Sequence, residues 1–528
     1  MIAQIEEIVN RINTLRYYLL GANVFLVCLL IALSNLNVLP IRNIGDFLFI
    51  SLIVFIFTLY RPGWGFLFFV GFIALENINL APEELDVSIR PYQLLGFMTF
   101  LSVFVRYFSK RLNFSLPKFI WADYVLFLLV AGGFLASLNA QDSTLAFKQS
   151  VVIFSFAILY LLTRVFIQSL EDIKKIIPFF LSSSMVVMFY SLWQNIRFSR
   201  GLDSFEVMPG RVNATFTEPD WYGIFLIFLL SILYVAVYRL DQKIKLFGIK
   251  RNKINFSYAL FVWCLIILAQ INMIIAVSRS AWAGWAALFL VLAFYLASKR
   301  KIRLVLFLIA SVFFSAGAVF ALGLTDFELR NRVQSVASGD QEITIACQSE
   351  VAIESPIDNV DKLKQYGCEH INLEDIEKNL STGKIVKKIY RQDPNVNIRK
   401  EIYLKTLAQI KEHCFLGIGW GNISDILGRD ERGSGLNSSN IFLEVWLGAG
   451  FLGLISFLVL VGYILSRGKL FFWEKLKAGK FKREDAGMDF YYLFLVLSSV
   501  AIIVPNLFNA GIMLGFLWLW LGISFIKN

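Results

Sequence analysis

The sequence predicts an all-α polytopic membrane protein, and three observations predict it. Of 528 residues, 57% are hydrophobic and 17% charged, against roughly 45–50% apolar and about 25% charged in globular chains. The apolar residues gather into uninterrupted runs of membrane-spanning length. Lys and Arg concentrate in alternate connections between those runs. A single soluble domain is excluded, because folding in water cannot bury this much apolar surface.

The elements follow in order. Residues 1–16 are polar with a helical pattern, and no small-residue cleavage site follows the first apolar run, so this segment is expected to be retained. Apolar runs then occupy about 17–38, 46–60, 64–80, 92–108, 119–138, 149–168, 176–196, 221–239, 256–277, 281–298 and 303–323. Three more lie at about 440–465, 489–506 and 508–526. The run at 46–60 is short for a hydrocarbon core of ~30 Å, and the pair flanking Arg61-Pro62-Gly63 reads as a broken or tilted hairpin. About 12–14 transmembrane helices are expected. They divide the chain into an N-terminal bundle (1–323, about eleven spans), a long loop (324–439) and a C-terminal segment (440–528, about three spans).

Charge orients them. If all fourteen runs span, one set of connections, with both termini, carries 28 Lys and Arg, and the other short connections carry 7. The positive-inside rule then places both termini in the cytoplasm and the long loop outside it. The net charge of +11 is thus spread over short inter-span segments as a topology signal, and no nucleic-acid partner is expected. The long loop is mixed, with 18 acidic and 15 basic residues. Its middle, about 338–395, is polar with scattered apolar residues, a composition that leaves its order open. Ile398 to His413 reads as an amphipathic helix with Ile402, Leu404, Leu407 and Ile410 on its apolar side, stopped by the glycines of Leu416 to Gly421. Cys347 and Cys368 in this loop form a disulfide if it faces an oxidising compartment and stay free thiols otherwise. His370 and His413 are the only histidines, too few for a histidine-rich metal site. No metal and no cofactor is expected, and no Walker, Rossmann or CxxC pattern is present.

Charged groups at the external mouth of the bundle do not suit a plain bundle. Arg211 lies in Gly210-Arg211-Val212-Asn213-Ala214-Thr215-Phe216, followed by Glu218, Asp220 and Trp221 where a span begins. Arg279, in Ser278-Arg279-Ser280, occupies a turn with almost no loop. Outward-facing arginine opposes the positive-inside bias. A guanidinium pair there suits a diphosphate, whose oxygens it binds bidentately while staying charged. Snorkelling, or an ion pair with Glu218 or Asp220, is the alternative reading. A third element lies where the long loop re-enters: Ser439-Asn440 at a helix start, then Glu444, Gly450 and Gly453. Ser and Asn there cap a helix and the glycines permit close helix packing, so capping and packing alone also account for it.

Taken together these residues resemble the O-antigen ligase and O-antigen polymerase superfamily over about 200–455. The family's motif after its large external loop is His-Asn, nine residues, then Gly-x-x-Gly. Ser439-Asn440, nine residues, and Gly450-Phe451-Leu452-Gly453 keep that spacing and have serine in place of the histidine. The segment at Arg211, the turn at Arg279 and the stretch from Tyr403 to Gly421 are further matches. The resemblance implies an inverting, metal-independent glycosyltransferase. It would move a glycan from an undecaprenyl diphosphate carrier to an acceptor hydroxyl, on lipid A core, another glycan or another acceptor, at the outer face of the bacterial plasma membrane. Polysaccharide ligation and polymerisation are both open. In this reading Arg211 and Arg279, with Asp220 and Glu444, hold the substrate, and Ser439 and Asn440 occupy the motif. With the motif histidine absent, His413, Glu218, Asp220 and Glu444 are the candidates to accept the hydroxyl proton. The competing classes are a transporter or flippase of lipid-linked oligosaccharide, which would show ionisable residues in mid-span and repeated halves, and a non-catalytic assembly component.

Overall fold

The computed structural model describes residues 2–526 apart from 86, 209, 247–252, 325–339, 354, 358–359, 372–375, 393, 430–434 and 479–485. The protein is an all-α polytopic membrane protein. Eleven helices precede the long loop: α1 (Ile2–Asn35), α2 (Ile44–Tyr60), α3 (Pro62–Phe72), α4 (Pro91–Phe108), α5 (Trp121–Ser137), α6 (Ser143–Phe166), α7 (Leu170–Ser199), α8 (Pro219–Leu246), α9 (Lys253–Ile275), α10 (Arg279–Ser298) and α11 (Ile302–Ala321). The loop contributes α12 (Ile376–Ser381), α13 (Pro394–Glu412) and α14 (Asn422–Leu427). After it come α15 (Ile441–Ala478), α16 (Ala486–Asn506) and α17 (Gly515–Ser524). Among the described residues nine helices are long and apolar enough to cross a membrane, and α2, α3, α5 and α17 are shorter apolar helices.

Two runs expected at full span length are half-length helices. With 11 and 10 residues, α3 and α17 are about 16 and 15 Å long, half of a ~30 Å hydrocarbon core. The apolar run beyond α3 contains Glu76, and the one before α17 contains Asn506, Asn509 and Gly511. Both stretches give up helical hydrogen bonds for side-chain partners. Non-helical backbone at membrane depth persists only where protein or a polar cavity satisfies it, and here protein does. The Gly515 amide, the first donor of α17, is received by Glu76 Oε1 at 2.7 Å, and Tyr92 Oη donates to the same oxygen at 3.0 Å. Arg90 Nε lies 2.8 Å from Glu76 Oε2 and donates to the Glu76 carbonyl. A buried carboxylate therefore caps a half-helix and is neutralised in place.

The interior is organised around α8, whose residues from Tyr222 to Leu230 are buried on every side. It packs against α9, α10 and α16, while α15 lies along α5 and α17 along α6. Polar side chains join helices within the apolar core: Asn23 donates to Ser183 Oγ at 2.7 Å, and Gln270 bonds Ser311 and Ser315. Such contacts replace the hydrophobic drive that is missing between helices in lipid. Peripheral faces expose large apolar side chains, such as Phe313 and Phe314 of α11.

A break interrupts α15 within its first three turns. Gly450 takes φ 66° and ψ −168°, a conformation open essentially to glycine alone. The segment after α13 threads across this break: Phe451 N donates to Phe415 O at 3.0 Å, Ile418 N to Leu447 O at 2.7 Å, and Trp446 Nε1 to Cys414 O at 2.9 Å. Among its described residues the loop also contains a small sheet. Strands β1 (Asp340–Cys347), β2 (Cys368–His370) and β3 (Ile385–Gln392) form an antiparallel sheet in the order β2-β1-β3, with Cys347 facing Cys368 in register and bonded to it. Ile343, Ile345, Ile357, Leu363 and Ile389 make a core separate from that of the bundle. Composition leaves the order of 338–395 open; among its described residues the sheet forms because period-two apolar residues, paired across long separations, bury a face that local composition does not reveal. The amphipathic helix forms as α13, but its buried stripe is Ile402, Thr406 and Ile410, with Leu404 and Leu407 exposed.

Candidate functional site

The irregular segments converge at the end of the bundle that carries the long loop. Residues 204–218 are sewn to their neighbours by backbone and side-chain bonds. Gln194 Oε1 accepts from Ala214 N at 2.8 Å, Thr215 Oγ1 donates to Ala74 O at 2.6 Å, and Asn77 N donates to Thr215 O at 2.7 Å. This fixes the backbone that carries Arg211.

Arg211 is buried and points at the turn between α9 and α10. Its Nη2 donates to Val277 O at 3.2 Å and lies 3.5 Å from Asp220 Oδ2, and its Nη1 donates to Met208 Sδ at 3.1 Å. Its Nε is buried without a hydrogen-bond partner among the described residues. Asp220, in the first turn of α8, also accepts from Ser278 Oγ and, at 3.4 Å, from Ser280 Oγ. Asn509, in the stretch before α17, donates to Ser280 Oγ at 2.8 Å. One polar chain thus joins Arg211, Asp220, Ser278, Ser280 and Asn509 across three stretches far apart in sequence.

The turn itself is strained. Val277 has φ 49°, which for a β-branched residue is a conformational outlier, and Ala214 and Ser439 in the adjoining segments share positive φ. Strain of this kind costs of order 1–3 kcal/mol per residue and gathers at functional sites. At Val277 it aims a carbonyl at Arg211 and starts α10 with Ser278 as its cap, Oγ accepting from Ala281 N at 3.3 Å. Arg279 is the first residue of α10 and half-buried, so its backbone adjoins the Arg211 cluster.

The remaining sequence candidates fall into two groups. Glu218 is half-buried one turn before Tyr222, whose amide its carbonyl accepts at 3.1 Å, and so borders the Arg211–Asp220 pair. Asn440 reaches the site through its Nδ2, which donates to Leu507 O at 3.2 Å. Its Oδ1 accepts from Phe442 N and Leu443 N, capping α15, while Glu444 Oε2 accepts from Ser438 N at 2.8 Å, a reciprocal tie across the same helix start. Ser439 receives Tyr403 Oη on its carbonyl at 3.3 Å. His413 follows the end of α13 beside the α15 break, and its carbonyl accepts from Gly417 N at 2.8 Å. Gly450 is the break itself. Gly453 lies against α5, where its amide is 3.1 Å from the point a Cβ on Gly132 would take.

Residues 260–458 match the family model described as O-antigen ligase. Over this segment the chain is similar to the O-antigen ligase family. No curated protein and no solved structure matches it. The matched segment runs from within α9 to within α15 and so includes Arg279, His413, Ser439, Asn440, Gly450 and Gly453. Arg211, Glu218 and Asp220 precede it, and Asn509 follows it. The hydrogen bonds of Arg211 to Val277 and of Asn509 to Ser280 tie these flanking parts onto the matched segment. Sequence reasoning missed Glu76, Arg90, Tyr92 and Asn509. The available signal for Glu76 was a carboxylate inside an apolar run, which membrane cost alone marks as purposeful.

Proposed function

We propose that this protein is a glycan transferase of the ligase or polymerase type. It moves an undecaprenyl diphosphate-linked glycan to an acceptor hydroxyl at the outer face of the bacterial plasma membrane, in cell-surface polysaccharide synthesis. The observation that carries the reading is Arg211: a buried guanidinium with a free Nε beside the strained Val277–Arg279 turn, at an end of the bundle where four irregular segments meet. The Lys/Arg distribution and the Cys347–Cys368 disulfide both support placing that end outside the cytoplasm.

In this reading the acceptor oxygen attacks the anomeric carbon from the face opposite the diphosphate, so the new glycosidic bond forms as the carbon–phosphate-oxygen bond breaks, with inversion. Charge builds on the departing diphosphate. In this reading Arg211 and Arg279 meet it with always-charged donors, which is where electrostatic preorganisation contributes most. These two charges serve in place of a divalent ion. The acceptor proton needs a carboxylate within hydrogen-bond reach. Asp220 is the best placed, since it adjoins Arg211 and its side chain keeps 25% exposure.

The test is transfer by purified protein from an undecaprenyl diphosphate-linked glycan, in the presence of a metal chelator. Arg211→Ala and Arg279→Ala are each expected to lose about 10²–10³ in rate, measured on the folded fraction of each variant. A product ladder identifies a polymerase and a single addition to lipid A core a ligase. Undiminished turnover in both arginine variants, or turnover that the chelator abolishes, overturns the mechanism.

A further inference from the structure

An apolar cavity of about 430 Å³ lies between α7, α8, α9, α16 and α17 at the end of the bundle away from Arg211. Its walls include Phe180, Phe228, Phe494 and Leu519, and Lys174 and Arg239 stand at its mouth. We infer that it holds an acyl chain of an anionic glycerophospholipid whose phosphate sits between Arg239 and Lys174, in the leaflet opposite the candidate site. The inference rests on the helices crossing a membrane and is independent of the transfer chemistry.

Depth is the first argument. On α7 the lining runs from Leu170 to Leu181, a rise of about 16 Å, which is one leaflet of a ~30 Å core. Position is the second. Asp220 and Arg239 lie nineteen residues apart on α8, about 28 Å along its axis. A phosphate at Arg239 is thus a membrane thickness away from one at Arg211, too far for the same headgroup.

Charge is the third. Arg239 is held over the ring of Phe490, with its Cζ 5.8 Å from the ring centroid, a contact that positions the cation without using its N–H donors. Lys174 pairs with Glu171 in an exposed i,i+3 contact, which is worth little and is readily exchanged for a phosphate. Arg16 Nη2 donates to Lys174 O at 3.2 Å and brings a third cation to the same rim. Among the described residues Glu171 is the one acid lining the cavity, so the mouth is net positive above an apolar slot. That combination is complementary to an anionic phospholipid.

Native mass spectrometry of the full chain, exchanged into equal phosphatidylglycerol and phosphatidylcholine, tests this. Wild type is expected to retain phosphatidylglycerol selectively. Arg239→Gln should lower that retention roughly fivefold, and Ala236→Phe, which fills the slot and keeps Arg239, should abolish it. Equal retention of the two lipids by wild type overturns the proposal without recourse to variants. So does retention that neither variant alters, or loss in Ala236→Phe of undecaprenyl diphosphate-glycan binding with phosphatidylglycerol unaffected, which would make the slot a site for the carrier's tail.

Discussion

Asn440 shows how one candidate side chain ties two segments together. Its Oδ1 receives two amides of the first turn of α15, and its Nδ2 reaches Leu507 in the segment leading to Asn509. Loss of such a cap costs about 1 kcal/mol. Asn440→Ala is therefore expected to lower the melting temperature by a few degrees, and Asn440→Asp, which keeps the accepting oxygen, to restore it. Transfer by the stable Asp variant then reads the Nδ2 contact alone, and equal stability of all three proteins would remove the capping account. The residue pattern made this capping reading visible beforehand, because Ser-Asn followed by Glu444 is a local signal. Arg211 is legible for another reason: an arginine stands out among the connections that carry few Lys and Arg. Its partners are not, since Val277 O and Asn509 come from distant segments and a carbonyl has no sequence signature.

At the scale of elements, each of the fourteen apolar runs contains a helix, yet run length failed at α3 and α17. Hydropathy reports how apolar a stretch is and not whether its backbone stays helical. Glu76 and Asn509 stop those helices through bonds to residues hundreds of positions away. The break in α15 is the same kind of feature, and it rests on Gly450. A Cβ there would sit 2.3 Å from Phe415 O, in a backbone conformation already closed to other residues. Gly450→Ala is expected to cost about 3 kcal/mol from the backbone alone, with the clash added, and to displace the 415–420 segment that packs across the break. Gly462, further along α15, has open space around its Cβ position, so Gly462→Ala is expected to be neutral or mildly stabilising. Thermal unfolding of the two variants in one detergent checks this, and equal melting temperatures would mean the break is not needed.

For the whole molecule, two cores with different solvents are joined by one chain. The bundle buries its apolar core against itself and lipid. The sheet has only a handful of apolar side chains around Cys347 and Cys368, too few to fold securely without a staple. The cysteines are 21 positions apart, and closing a loop of that size removes about 3 kcal/mol of unfolded-state entropy. Replacing both cysteines with serine should therefore melt the sheet locally and leave the bundle folded, because no residue of the sheet core belongs to the bundle core. Hydrogen exchange on the detergent-solubilised variant is expected to show protection lost across Ile343 to Cys347 and Cys368 to His370, with the amides of α8 unchanged. Loss of protection in α8 as well would show that the two cores fold as one unit. Full protection in the sheet would show that its strand pairing suffices without the covalent link. If the sheet melts while transfer from a soluble acceptor persists, its task is to present an acceptor to the Arg211 end, for the residues around Asp220 need nothing from it to hold their geometry.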